Sequence, residues 1–111
     1  MNTTLKNQIE KSFILVISDL KDEKETSEFL KSFLTTKEFE NLAKRLSVAY
    51  WLAKGRSYEN IKTNLTVSSA TIAQTHSLLK KDGIKLALKK LDADEWANKW
   101  SSRIRELLKT K

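Results

Sequence analysis

Basic side chains that could bind phosphate are concentrated in one part of this chain. Residues 54–90 contain eight basic and only two acidic residues, a net charge of +6, whereas residues 1–53 carry eight of each. A concentrated positive charge attracts a polyanion and gains affinity from the counterions that binding releases. A solvated lysine face is the alternative for any one residue, but the clustering favours nucleic acid. The eight are Lys54, Arg56, Lys62, Lys80, Lys81, Lys85, Lys89 and Lys90.

Residues 57–81, inside this basic segment, have the pattern of two short helices joined by a turn. Ser57 and Ser68 stand at expected N-cap positions, because a serine oxygen can accept a backbone N–H of the first helical turn. The spacing predicts helices over about 58–64 and 69–80. The side chains expected between them are Ile61, Leu65, Val67 and Ile72. We interpret this segment as a helix-turn-helix, with an ordinary helical hairpin as the alternative.

The second helix of this pair begins with small and polar side chains: Ser69, Ala70, Thr71, Ala73 and Gln74. A helix with such a start suits entry into a DNA major groove by its N-terminal end. Hydroxyl and methyl groups read bases through hydrogen bonds, bridging water and the thymine methyl group. Because this end contains no arginine, we expect specificity to depend on those contacts rather than on arginine–guanine pairs.

The residues that could support catalysis are few and isolated. His76 is the only histidine, and it lies in a predicted helix without a nearby nucleophile or metal partner. Carboxylates such as Glu38 and Asp92 stand at predicted helix starts, where they complement the helix dipole. The sequence has no cysteine, no glycine-rich phosphate loop and no metal-ligand spacing. We therefore expect no enzyme activity, no cofactor and no bound metal.

Composition predicts an all-α fold that forms a single domain over residues 1–111. The chain has no proline and only two glycines, whereas sheets and hairpins need turn residues. Thr35 and Glu38 form a capping-box pattern. Without a long uncharged apolar run, we expect no membrane contact and a cytoplasmic location. Apolar periodicity predicts further helices over 4–21, 26–33, 36–54, 84–91 and from Asp92 or Asp94 to about 108.

The first predicted helix has a wider apolar surface than packing on one small domain requires. Its stripe is broadened by Ile14 and Leu15, which favours burial against another chain, although the helix could pack only on its own domain. Trp96 and Trp100 are expected to pack in a core or a dimer interface rather than form a ligand cage. The long third helix is expected to bury Phe39, Leu42, Ala43, Leu46, Ala49, Tyr50 and Ala53. Val48, Trp51 and Leu52 add apolar surface on its other sides.

Four short stretches, in matching order and spacing, carry a family resemblance. They are Phe33-Leu-Thr-Thr36, Leu42-Ala-Lys-Arg-Leu-Ser-Val-Ala49, Ser57 and Tyr58 with Ile61, and Ser68-Ser-Ala-Thr-Ile72. Together they cover a little under half of the chain and resemble the Trp repressor superfamily, most closely its branch of YerC/YecD-type Trp-repressor-like regulators. The resemblance implies an intertwined, all-helical homodimer in which the outer helices of two chains interlock. Its two helix-turn-helix units would then read successive major grooves of double-stranded DNA.

The sequence departs from this resemblance at the expected effector site. Arg45 matches one arginine of the corepressor pocket, but Gln74 replaces a second arginine, and Leu78 replaces a small hydroxyl side chain. Gln74 cannot pair with a carboxylate as a guanidinium does, and Leu78 can fill the pocket. We expect no tryptophan response, and no other effector is indicated. Thr66 stands where many such turns have glycine, so the turn must have another geometry or carry strain.

The resemblance also implies which residues contact DNA. Lys62 would contact phosphate, and Ser69, Ala70 and Ala73 would face the groove. Glu59 replaces an arginine and should weaken local attraction. The expected function is a sequence-specific, homodimeric DNA-binding regulator of transcription, acting as a repressor. The alternative is a helical protein-interaction or assembly module that keeps the fold without DNA binding. The expected DNA-binding residues are Arg56, Tyr58, Lys62, Ser68, Ser69, Ala70, Thr71, Ala73, Gln74, Lys80 and Lys81.

Overall fold

The computed structural model describes residues 1–109, except for the side chains of Trp100 and Ser101, and this part of the chain is helical without any strand. The all-α prediction is therefore confirmed, while the prediction for the Trp100 side chain lies outside the described residues. Two compact units divide at Asn41 and Leu42. The helices are α1 (Thr3–Asp19), α2 (Glu23–Phe33), α3 (Thr36–Ala53), α4 (Tyr58–Leu65), α5 (Ser69–His76) and α6 (Asp82–Lys109).

Local capping bonds fix the helix starts in the first unit. The Thr35 N–H donates to the Glu38 carboxylate at 2.8 Å, and the Glu38 N–H donates to the Thr35 hydroxyl at 3.1 Å. The predicted capping box before α3 is thus confirmed, and the hydrogen bond from the Thr35 backbone lowers the pKa of Glu38. Helix α2 begins at Glu23, earlier than the predicted residue 26, because the Asp22 carboxylate accepts the Glu25 N–H at 2.8 Å.

Helix α1 buries none of its residues within the chain. Its apolar side chains are all substantially exposed, with Ile14 and Leu15 at 66% and 61% of their full accessibility. Aromatic rings join α1 to α2 in the first unit: the ring centroids of Phe13 and Phe33 lie 5.9 Å apart. Within α2, Phe33 stacks on Phe29 at 5.2 Å between ring centroids. The unusually apolar surface that the sequence indicated for α1 therefore remains uncovered.

The buried core of the second unit forms where α3, α4 and α5 meet. Val48, Ile61 and Ile72 are fully buried there. Trp51, Leu52, Leu65 and Val67 pack around them. The four side chains predicted between α4 and α5 thus all belong to this cluster.

The apolar face predicted for α3 is only partly correct. Ala49 is buried as expected, but Leu42 and Leu46 remain 46% and 38% exposed. The core is formed instead by Val48 and by Trp51 and Leu52 beside it, side chains that the sequence placed on other sides of the helix. Because α3 carries apolar residues around most of its circumference, periodicity could not show which side faces its own chain.

Two predicted helix boundaries after α5 are wrong. Helix α5 ends at His76, not near residue 80, because residues 77–81 form tight turns such as the bond from the Leu78 N–H to the Thr75 carbonyl at 2.9 Å. Asp82 begins a helix of 28 residues, which continues through residues 91–94 where the sequence predicted a break and a new cap.

A polar cluster between α3 and α6 occupies that predicted break. Asp92 forms an ion pair with Lys54 at 2.5 Å, and the Tyr50 hydroxyl lies 3.2 Å from Asp92 and also contacts Glu95. The hydrogen bond to Glu95 is the main cause that raises the pKa of Tyr50 to about 12. Contacts with Lys54 and Tyr50 lower the pKa values of Asp92 and Glu95, respectively. These carboxylates therefore connect two helices rather than begin one.

Candidate nucleic-acid interface

Serine side chains cap both helices of the α4–α5 pair, as the sequence predicted. The Ser57 hydroxyl accepts the Asn60 N–H at 3.1 Å, and the Ser68 hydroxyl accepts the Thr71 N–H at 3.1 Å. Both serines have extended backbone angles, which place the side chain beside the first turn. The start of α5, where groove-facing residues were expected, is therefore held by a local bond.

The connection between α4 and α5 contains a left-handed threonine. Thr66 has φ 54° and ψ 56°, a region that a β-branched residue enters only with strain. Of the two alternatives that the sequence left open, the chain thus adopts the usual left-handed geometry without the usual glycine. Val67 follows and packs against the buried cluster. This turn is the point where packing of α5 on α4 overrides the local backbone preference.

Helix α5 has a buried side and an exposed side. Ile72 and Thr75 are buried, and the Thr75 hydroxyl donates to the Thr71 carbonyl at 2.8 Å, so that this inward polar group is satisfied. Thr71 itself is half-buried, and its hydroxyl lies 3.0 Å from that of Ser68. The predicted groove-facing residues Ser69, Ala70 and Ala73 are all exposed, and so is Gln74, another predicted DNA-binding residue. The outward side of α5 is therefore small and polar, with the apolar core directly behind it.

The predicted basic contacts are distributed unevenly around this pair. Lys62 is exposed in the last turn of α4, and Lys80 and Lys81 are exposed in the turn that follows α5. Lys54, by contrast, is bound to Asp92 on α6, and this contact raises its pKa. The remaining exposed basic residues of this segment lie in two places: Arg56, Lys62, Lys80 and Lys81 on or beside the α4–α5 pair, and Lys85, Lys89 and Lys90 on α6.

Tyr58 and His76 form a contact that the sequence did not indicate. The Tyr58 hydroxyl lies 2.9 Å from Nδ1 of His76, and the two rings meet edge to face at 6.1 Å. Tyr58 was predicted to bind DNA and His76 to be an ordinary surface residue. The pair joins the first residue of α4 to the last residue of α5, and both residues remain exposed. The sequence could not indicate this contact because the two residues are 18 positions apart.

Arg56, another predicted DNA contact, lies against two side chains that the sequence did not single out. Its guanidinium carbon is 3.9 Å from the centre of the Trp51 ring, and its Nη1 donates to the Asn60 amide oxygen at 3.2 Å. Arg56 is nevertheless exposed. The connection between α3 and α4 thus presents one guanidinium in a fixed position beside the start of α4.

The predicted effector residues are accessible to different degrees. Arg45 on α3 and Gln74 on α5 are exposed, whereas Leu78 is half-buried in the turn that follows α5.

Neither a membrane-spanning helix nor a metal-binding cluster occurs in the described part of the chain. No helix there is long and apolar enough to cross a membrane. Nor do His, Asp and Glu side chains gather there in a group of three that could hold a metal ion.

Comparisons with known proteins identify the family of this chain. The sequence profile of the family described as "Trp repressor protein" matches residues 8–92. The "Uncharacterized protein YerC" of Bacillus subtilis (strain 168) is 35% identical over 81 residues, which cover 71% of this chain and 78% of that protein. No solved structure matches. The resemblance to a YerC-type Trp-repressor-like protein is thus confirmed, and this chain belongs to the Trp repressor family.

Proposed function

We propose that this protein is a sequence-specific DNA-binding regulator of transcription that acts as a homodimeric repressor in the cytoplasm. The observation that carries the proposal is the exposed, small and polar side of α5, which stands directly in front of the buried Ile72. A helix supported in this way can place its N-terminal residues against base edges in a major groove. Family membership supports the same function. Residues 57–81 would be the helix-turn-helix of a single domain that spans residues 1–111.

The homodimer is supported by apolar surface that the single chain leaves uncovered. None of the residues of α1 is buried, and Leu42 and Leu46 on α3 are also exposed. Exposed apolar residues along helices of this length are typical of surfaces that pack against another protein. A second copy of the chain would cover them and bring two α5 helices to one DNA duplex.

We further propose that tryptophan does not control this regulator. Gln74 occupies the position where the corepressor pocket needs a second guanidinium, and Leu78 brings an apolar side chain in place of a small hydroxyl. Calorimetric titration with L-tryptophan should therefore give no heat of binding. Saturable binding at micromolar concentration would contradict this part of the proposal.

The test of DNA binding is the salt dependence of affinity for mixed-sequence duplexes and for duplexes selected from a random library. The affinity of the wild type should fall steeply as the salt concentration rises. Lys62→Ala should weaken binding to duplexes of every sequence and flatten the slope of log affinity against log salt concentration by about one unit. Lys37→Ala, which removes the same charge from the first unit, should leave the slope unchanged and serves as the control. An unchanged slope in Lys62→Ala would remove this residue from the interface.

A helical protein-interaction or assembly module is the second candidate function. It is favoured by Glu59, an exposed carboxylate in the first turn of α4 at a position where the family resemblance implies an arginine. A negative charge there repels phosphate. If the wild-type protein binds neither random nor selected duplexes even at low salt, this second function would be preferred.

A further inference from the structure

The C-terminal end of α3 has a backbone geometry that controls where Arg56 lies. Gly55 adopts a left-handed conformation with φ 86°, its N–H donates to the Leu52 carbonyl at 3.0 Å, and the Arg56 N–H donates to the Trp51 carbonyl at 3.1 Å. These two bonds define a Schellman motif, in which the residue after the left-handed glycine returns beside the last turn of the helix. The motif thus brings Arg56 back to Trp51, five residues earlier.

A Schellman motif is often completed by an apolar contact between these same two positions. Here the contact is the guanidinium of Arg56 over the indole of Trp51, at 3.9 Å from the ring centre. Tryptophan is the aromatic side chain that binds a cation best, and a guanidinium can lie flat on it. Trp51 also packs against the buried cluster, so the platform is itself held in place.

Asn60 restrains the same guanidinium group at one of its nitrogens. Its amide oxygen accepts a hydrogen bond from Nη1 of Arg56 at 3.2 Å, and its own backbone N–H is held by the Ser57 cap. A guanidinium has five N–H donors in a rigid plane, so several donors remain for another acceptor. An arginine held at its face and at one nitrogen has lost much of its rotamer freedom before any ligand arrives.

We propose that Trp51 and Asn60 are positioning residues that orient Arg56 to bind a phosphate of the DNA backbone. This inference rests on the proposed DNA-binding function and specifies how one contact is made. The contact would fix the orientation of the α4–α5 pair on the duplex without reading the base sequence. Because the ordering of Arg56 precedes binding, Trp51 contributes to affinity without touching DNA.

A double-mutant cycle on duplex binding tests this coupling. Arg56→Ala should weaken binding about tenfold and lower the salt slope by about one in the wild-type background. In the Trp51→Leu background, the same substitution should weaken binding less than about threefold, because the arginine is no longer oriented. Trp51→Phe should fall between, since phenylalanine keeps a ring but binds cations less strongly. Lys62→Ala is the control and should cost the same in both backgrounds.

Because Trp51 also contacts the core, all variants are compared at a temperature where circular dichroism shows wild-type helicity. Equal costs of Arg56→Ala in the wild-type and Trp51→Leu backgrounds would overturn the positioning role while leaving the proposed function intact. Failure of the wild type to bind any duplex would overturn the proposed function and, with it, the phosphate contact.

Nuclear magnetic resonance provides a measurement that does not depend on DNA. In the free protein, the δ and ε protons of Arg56 should be shifted upfield by the Trp51 ring. This shift should vanish in Trp51→Leu but persist in Lys62→Ala. Unshifted Arg56 protons in the wild type would contradict the stacked arrangement itself, whatever the protein binds.

Discussion

Helix α1 and the α4–α5 pair distribute their apolar side chains in opposite ways. Within its own chain α1 buries no residue, although Ile14 and its apolar neighbours are available, whereas the much shorter helices α4 and α5 fully bury Ile61 and Ile72. The longer segments that contain them differ in charge as well, because residues 1–53 are neutral overall and residues 54–90 carry +6. One region therefore has the surface of a protein–protein contact and the other that of a polyanion-binding contact.

The largest expected effect tests whether α1 forms the proposed contact between two chains. Ile14→Asp places a carboxylate on the most exposed part of the apolar stripe, and in a symmetric dimer it does so twice. We expect the dimer dissociation constant to rise about a thousandfold, or roughly 4 kcal/mol. Analytical ultracentrifugation measures this directly. Ser12→Asp adds the same charge at a polar position of α1 and should remain dimeric, and a wild-type monomer would contradict the homodimer.

The next largest effect tests whether the buried core anchors α5. Ile72→Ala removes a fully buried side chain behind the exposed face of α5 and should lower the free energy of unfolding by about 3 kcal/mol. Ile72→Val is the matched variant and should cost about 1 kcal/mol, because it removes only one methylene. Urea titration gives both values. Equal and small losses would mean that α5 is not anchored by this residue.

A smaller effect sharpens the same comparison at the α4–α5 turn. Thr66→Gly should raise the free energy of unfolding by about 1 kcal/mol, because glycine relieves the left-handed strain but increases the entropy of the unfolded chain. Thr63→Gly, in the helical part of α4, should instead lower it by about 1 kcal/mol. Thermal unfolding of the two variants separates these opposite signs. A destabilised Thr66→Gly would show that the threonine side chain makes a compensating contact.

The smallest effect concerns the polar cluster that joins α3 to α6. Asp92 and Glu95 have pKa values below their ordinary 3.8 and 4.5, so their contribution to stability is lost as the pH falls through this acid range. Tyr50 has a pKa raised from 10.0 to about 12, so its contribution is present below pH 10 and is lost as the pH rises toward 12. Tyr50→Phe should therefore show a flatter dependence of the urea midpoint on pH in both ranges. Parallel curves would contradict the importance of its hydroxyl.

The sequence predicted those features that depend on neighbouring residues. The caps at Ser57 and Ser68 and the reciprocal bonds of Thr35 and Glu38 were all correct, because each joins residues three positions apart. The buried residues of the α4–α5 pair were also correct, since a short connection limits how two small helices can pack.

Predictions failed where distant residues decide the outcome. Asp92 has the character of a helix cap, yet Lys54 and Tyr50, about 40 positions earlier, hold it in the middle of α6. The contacts of Tyr58 with His76 are of the same kind. Trp51 was assigned only to extra apolar surface, because the sequence does not reveal that Gly55 turns the chain so that Arg56 returns to it. The location of the candidate site could be predicted from the sequence, but the side-chain contacts that orient its residues could not.

The absence of any buried residue in α1 has a consequence for how the protein reaches its working form. An isolated helix of 17 residues is only marginally stable in water, so its capping bond at Asn2 cannot hold it alone. In the proposed homodimer, its order would come from the second molecule, and the melting temperature would rise with protein concentration by mass action. In such a dimer, α1 would be among the last elements to find its packing, after two folded chains have met.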